Sequence, residues 1–382
     1  MLTPPKLSLY IHFPWCVQKC PYCDFNSHQL KTNLNETEYV DALLADLEQD
    51  LPLIWGRTIN TIFMGGGTPS LFSAQAMQRL LSGIRALLAI RPDAEITMEV
   101  NPGSQEFDHL AAYRQAGINR LSFGVQSLDN NKLKVLGRIH NAAQAINAIK
   151  KAQQADFTNF NTDLMFALPE QTLSGARDDL NALLDLQPPH VSYYQLTLEA
   201  NTLFAVKPPP GIPDEGVQQD MYFQGRDILS AAGYGQYEVS AYAGDNNPSE
   251  HNLNYWRFGD YLGIGAGAHS KITRGHNGEI IRLMKQKHPQ TYLNTVRQDK
   301  RIIEQKTLTP DDLLFEFLLN HLRLKEPMPL TRFRERTGLP VTRLITLFKE
   351  SVPENWYRLN EQSITLTETG FLNSDSILQQ LV

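Results

Sequence analysis

Between Leu7 and Leu198 the sequence alternates strand-like and helix-like segments, and this alternation constrains the fold more than any other feature. Leu7 to Phe13 is a β-branched and aromatic run that reads as a strand. A helix follows from Asn35, with Glu38 in capping-box position and Tyr39, Leu43, Leu44 and Leu47 on one face. The same reading predicts strands over Thr58 to Met64, Glu95 to Val100, Arg120 to Val125, Asn161 to Phe166 and His190 to Leu198. Helices are predicted over Ser73 to Leu88, Gln105 to Ala116, Asn131 to Gly137, Ala142 to Gln154 and Leu173 to Leu186. Strands joined through helices need right-handed crossovers and a parallel sheet. An open doubly wound sheet and a partial (β/α)6 barrel both satisfy that pattern.

The residues at the strand ends favour the barrel. The cysteines follow the first strand, Gly65-Gly66-Gly67-Thr68 the second, Glu99 and Asn101 lie at the third, Gln126 at the fourth, and Asp163 inside the fifth. Groups drawn from successive strand ends meet at the carboxyl mouth of a barrel. Singly, each has an ordinary reading: Glu99 or Asp163 as a strand-end cap, Gln126 as a turn former, Arg138 as a charge at a helix end.

After Leu198 the pattern changes. KPPPGIP, from Lys207 to Pro213, reads as a stiff connector, followed by a helix over Asp214 to Ala232 and a strand near Tyr237 to Tyr242. A segment dense in aromatics and glycine then leads into a hairpin turning at Asn277-Gly278. From Thr309 onward three helices, short strands over Trp356 to Leu359 and Ser363 to Leu366, and a final helix suggest a small winged-helix-like α+β domain. The expected division is therefore 1–235 for the partial barrel, 236–304 for the linking segment and 305–382 for the C-terminal domain. With 35 Lys and Arg against 41 Asp and Glu, the chain lacks the cationic excess that a nucleic-acid partner would demand. The longest oily stretch, Leu80 to Ile90, is interrupted by Arg85, so no membrane span is expected, and the N-terminus has no secretory pattern. A cytoplasmic protein is the expectation.

All three cysteines, Cys16, Cys20 and Cys23, fall in CVQKCPYC. An odd, crowded set makes a poor disulfide framework and a good metal loop. His28 completes a Cys3His zinc set on spacing, whereas a 4Fe-4S cube held by three thiolates keeps one iron open for an exchangeable ligand.

CxxxCxxC directly after a first strand, with GGGTPS after the second, resembles the radical S-adenosylmethionine superfamily. The likeness to its coproporphyrinogen-oxidase-like branch spans essentially the whole chain through LSLYIHFPWC, FMGGGTPS, MEVNPG, RLSFGVQS, LGRIH and NTDLMFALPEQT. The resemblance implies that Cys16, Cys20 and Cys23 hold a 4Fe-4S cluster whose fourth iron is chelated by S-adenosylmethionine. Reductive cleavage of that sulfonium to a 5′-deoxyadenosyl radical would be the cofactor's own chemistry. It also implies that Tyr10, Tyr22, Gly66, Gly67, Thr68, Glu99, Gln126, Arg138 and Asp163 contact S-adenosylmethionine, the glycines by admitting backbone groups to its amino end.

The branch holds both oxygen-independent coproporphyrinogen III oxidases, which decarboxylate propionates, and heme chaperones. The oxidase motif carries a further cysteine two positions beyond the third, where this chain has Phe25, and a longer arm before its first strand. The chaperone hallmark HNxxYW stands here as His251-Asn252-Leu253-Asn254-Tyr255-Trp256, with GIGAGAHS from Gly263 to Ser270 after it. The resemblance thus implies a chaperone that binds heme and passes it to an acceptor protein. His251 is then the first candidate heme contact, Tyr255 and Trp256 its packing partners, and His269 the second candidate. An arbitrary HNxxYW would more often be a turn and core packing. A homodimer linked to the cluster and peripheral membrane association are compatible with the same likeness.

Overall fold

Around β1 (Leu7–Phe13) runs the parallel part of the sheet: β2 (Ile59–Gly66), β3 (Ile90–Val100), β4 (Arg120–Gln126), β5 (Phe160–Phe166) and β6 (His190–Gln195) pair in sequence order. Helices α1 (Glu36–Asp50), α2 (Ala74–Leu87), α3 (Leu110–Ala116), α4 (Asn130–Val135), α5 (Ala142–Gln154) and α6 (Leu173–Leu184) fall between them. The computed structural model describes residues 2–31, 33–103, 110–244, 247–275 and 277–380. The start of the helix expected from Gln105 lies outside the described residues.

Local chemistry sets the helix starts. Asn35 accepts from the Glu38 amide, Ser73 from Ala76, and Asn141 and Gln144 form a reciprocal capping box. The strand expected over Glu95 to Val100 begins earlier, at Ile90, because the ladder skips: Ile59 pairs with Ile90 and Thr61 with Glu95, so Pro92 lies where no ladder N–H is needed.

The two faces of the strands differ in kind. Outward residues such as Leu9, Ile11, Ile62, Met64, Met98, Phe123 and Val191 are buried under the helices in one apolar core. Inward residues include Tyr10, Phe63, Glu99, Ser122, Asp163 and Ser192, which all line a single cavity. A flat sheet cannot bring β1 and β6 to one cavity, so the sheet curls into the expected α/β partial (β/α)6 barrel.

Later segments extend this sheet. The strand expected near Tyr237 to Tyr242 is a hairpin of β7 (Gly235–Glu238) and β8 (Ala241–Ala243), reversed where the Glu238 carboxylate accepts from the Ser240 amide at 3.1 Å. On the other side β9 (Asp260–Ile264) adds parallel to β1, followed by β10 (His269–Arg274), β11 (Glu279–Lys285) and β12 (Ile302–Thr307) antiparallel. Gly278, at φ 74°, completes the β10–β11 turn. From Leu308 onward three helices, Pro310–His321, Leu330–Thr337 and Val341–Ser351, pack on a small three-stranded sheet around Phe317, Phe333, Leu344 and Phe348. The expected final helix breaks at Asn373 into Glu368–Leu372 and Ser374–Gln379.

A buried ion cluster joins α1 to the β-extension. Lys285, Asp46 and Asp50 are all 0% exposed, and Lys285 Nζ donates to both carboxylates at 2.5 Å. Arg301 adds a bond to Asp50 at 2.7 Å and one to Asp46 at 3.3 Å, while the Gly265 amide and Tyr292 hydroxyl donate to Asp46. Removing one partner strands charge without water, so Lys285→Met should cost about 3–5 kcal/mol. Chemical denaturation checks this; a loss under about 1 kcal/mol would mean that the carboxylates find another partner.

Candidate functional site

The cysteine loop leaves β1 at Phe13 and is closed at its base by a short parallel ladder of Trp15–Cys16 with His28–Gln29. Inside it the Cys23 amide donates to Cys20 O at 3.2 Å. Three attachments fix the loop from outside. Asn26 Nδ2 donates to Ala266 O and Lys287 O, Gln18 Nε2 to Gly137 O, and the Phe204 amide to Pro21 O. His12, deep in the cavity, accepts from Tyr10 OH at 3.0 Å and donates through Nε2 to Asn26 O at 2.9 Å. Burial lowers its pKa to about 4, so the ring is neutral.

The three thiols are free, half-buried and all on the cavity wall. Burial pushes Cys16 and Cys23 up, and hydrogen bonds from Thr68 and Ser27 oppose the rise. Arg138 Nη1 reaches Cys20 Sγ at 3.5 Å, placing a cation beside that sulfur. Among the described residues no three His, Cys, Asp or Glu side chains converge as a single ion requires. His28 turns away, into a neighbouring cleft with its ring 5.5 Å from that of His288, so it does not complete a zinc set.

The glycine loop braces the cysteine loop. A Cβ at Gly66 would lie 2.2 Å from the His12 ring, and one at Gly67 2.5 Å from Trp15 O. The amides of Gly66, Gly67 and Thr68 are taken by Glu99, Phe13 O and Trp15 O. Backbone contact to a ligand from these three must therefore come from carbonyl oxygens, which suit an ammonium group.

Glu99 and Asp163 face the cavity as two half-buried carboxyls. Burial, with Asp163 as a like-charged neighbour, raises Glu99 to about 8; burial likewise raises Asp163, against hydrogen bonds from Asn161 and Ser192. A cationic ligand group would relieve both. Gln126, held at φ 68°, accepts from Tyr194 OH at 2.6 Å across the barrel, and Tyr22 packs on Phe204. Arg138 Nε is buried without an acceptor, further unmet demand for a polar ligand, whereas Arg120 Nε lies 3.7 Å from the Glu95 carboxylate.

HNxxYW forms the helix α7 (Glu250–Trp256) at the opposite end of the cavity, its N-terminal amides held by Glu95. His251 is 1% exposed, and burial lowers its pKa to about 3. Since Thr61 donates to Ser8, His251 Nδ1 donates to Thr61 at 2.8 Å and Nε2 accepts from Tyr255 OH at 3.2 Å. Trp256 lies beneath the Arg323 guanidinium, and its buried Nε1 has no acceptor. His269, like Gln18, Asp24 and Phe25, belongs to the exposed part of the lining, the rim.

Apart from His28, every candidate residue thus lines one cavity of ≈ 950 Å³. Sequence reading missed His12, Arg120, Asn161, His190 and Tyr194. The signal was a polar residue at every second position, as in Asn161 and Asp163, which assigns both to the inner face. Asn161 bridges His190 and Asp163 at 2.6 and 2.7 Å.

A partial barrel with a three-cysteine loop at its mouth defines a radical S-adenosylmethionine protein. The Radical SAM superfamily profile matches residues 10–183, and the HemN C-terminal domain profile residues 308–372. Heme chaperone HemW of Escherichia coli (strain K12) is 48% identical over 379 residues, 99% of each chain. That of Haemophilus influenzae is 46% identical, covering 98% of this chain and 97% of its own. The chain belongs to the heme chaperone HemW family. Its fold matches the solved coproporphyrinogen III oxidase (HemN) from Escherichia coli at TM-score 0.83, 24% identity, and 99% and 90% coverage of the two chains.

Because Glu99 is raised, the folded chain keeps a proton that the unfolded chain releases near the ordinary carboxyl pKa. Its contribution to stability is therefore lost as pH rises from that value toward about 8. Glu99→Gln should flatten this fall, by up to ~1.4 kcal/mol per pH unit, in ligand-free protein denatured between pH 5 and 8. Parallel curves for the two proteins would contradict the raised carboxyl.

Proposed function

We propose that this chain binds heme and hands it to an acceptor protein, and that Cys16, Cys20 and Cys23 hold a 4Fe-4S cluster with S-adenosylmethionine beside it. The observation that carries this reading is the single cavity combining free thiols and raised carboxyls with the HNxxYW helix, in a chain related over its whole length to heme chaperones. A bound cluster supplies low-potential electrons and one iron open to the amino acid end of S-adenosylmethionine. The residues do the rest. Glu99 and Asp163 attract the cationic groups, Arg138 donates to the Cys20 sulfur, and Tyr10, Tyr22, Gln126 and the 66–68 loop line the wall that receives the ligand. At the far end Tyr255 and Trp256 offer aromatic surface to a porphyrin, with His251 orienting Tyr255.

Phe25, 57% exposed, occupies the position of the further cysteine in the oxidase pattern and adds apolar surface at the mouth, together with Val17. Such a patch suits the cluster-linked homodimer or the docking acceptor. No described helix is long and apolar enough to cross a membrane, so membrane contact in this reading is peripheral.

Anaerobically reconstituted protein should contain about four irons and four acid-labile sulfides, and a Cys16, Cys20 and Cys23 triple serine variant almost none. It should take up hemin with a shifted Soret band, and should form no protoporphyrinogen from coproporphyrinogen III, S-adenosylmethionine and reductant while a control oxidase does. Zinc without labile sulfide would overturn the cluster. Turnover at the control's rate would overturn the chaperone reading.

A further inference from the structure

Given the heme carriage proposed above, we infer that His269, at the rim of the cavity, is the axial ligand of the carried heme rather than His251 at its floor. Iron needs an imidazole nitrogen whose lone pair is unshared and reachable. His251 offers none: Nδ1 donates to Thr61, the Nε2 lone pair accepts from Tyr255 OH, and the ring is buried against Phe63 at 5.0 Å. Ligation there would break the Tyr255 bond inside a buried network that also ties Ser8 and Asn254.

His269 has the opposite properties. Its side chain is exposed, and among the described residues neither ring nitrogen has a hydrogen-bond partner. Burial of part of the ring and the cations Arg282 and Lys287 lower its pKa, which keeps the imidazole neutral and able to ligate. The backbone beneath it is rigid: His269 pairs with Met284, the Lys285 amide donates to Ala268 O, and Ser270 Oγ accepts from the Gly263 amide. A free ring on a fixed backbone is a preorganised ligand.

The surroundings fit a porphyrin that must leave again. Phe25 supplies an exposed aromatic face on the same rim, and Lys287 a cation for the porphyrin carboxylates. A ligand at the rim can be displaced by an incoming acceptor side chain without the heme passing through the barrel. The 265–268 turn before His269 also receives Asn26 of the cysteine loop through Ala266 O, so ligand and cluster loop are directly joined.

The test uses the full-length chain titrated with hemin and read by Soret absorbance, electron paramagnetic resonance and resonance Raman. His269→Ala should weaken hemin binding about tenfold or more and remove the histidine-ligand signature. Imidazole added to His269→Gly should restore that signature, which a merely structural role would not allow. His251→Ala should weaken binding by distorting the floor, yet the heme that binds should keep the wild-type signature. The inference is overturned if His269→Ala and wild-type spectra coincide, or if the signature is lost in His251→Ala and returns with imidazole in His251→Gly. Wild-type protein that takes up no hemin would instead refute heme carriage itself.

Discussion

The buried meeting of Asp46 and Asp50 with Lys285 and Arg301 is the interaction on which the site depends. It ties α1 to β11 and the segment before β12, and through the Gly265 amide it fixes the turn between β9 and β10. Tyr39, also on α1, donates to His12 O and accepts from the Ala266 amide, so the same helix holds the end of β1. From that turn Ala266 O holds Asn26 in the cysteine loop. The thiols are thus positioned by charges that never touch them. In a low-dielectric interior such a cluster gives little net stability but fixes one arrangement, because partial pairing is so costly.

The curled sheet separates two tasks by strand parity. Outward residues bury enough apolar surface under the helices to hold the barrel, at roughly 25 cal/mol per Å². This leaves the inner face free to carry polar groups that a core would reject. Several of those groups have unmet polar demand: raised carboxyls at Glu99 and Asp163, an orphaned guanidinium nitrogen on Arg138, and an unpartnered indole N–H on Trp256. Strain of this kind, gathered in one cavity, is what a site adapted to charged and aromatic ligands looks like when considered alone.

What the sequence made legible was local. Leu7 to Phe13 and Ala142 to Gln154 have the bounds read from periodicity, and Asn35, Ser73 and Thr172 cap as their side chains dictate. The cysteines, Glu99, Gln126, Arg138 and Asp163 could be expected to converge because a barrel sends successive strand ends to one mouth. The ion cluster was not legible, since Lys285 lies 239 residues from Asp46 and nothing near either marks the pairing. Nor was the place of β9, a late strand inserted parallel to β1. The contrast between His251 and His269 was hidden for the same reason: it depends on Thr61, which reaches His251 across 190 residues.

The central claim is that cluster and heme share one cavity, so that the state of the first bears on custody of the second. It is tested most directly by pulsed electron paramagnetic resonance on reconstituted, hemin-loaded protein, with the cluster reduced and the heme paramagnetic. The account predicts magnetic coupling that shortens the relaxation of the cluster signal and disappears in the triple cysteine variant. A cluster signal unchanged by hemin, in protein shown to hold both groups, would place the heme elsewhere on the chain and contradict the shared site.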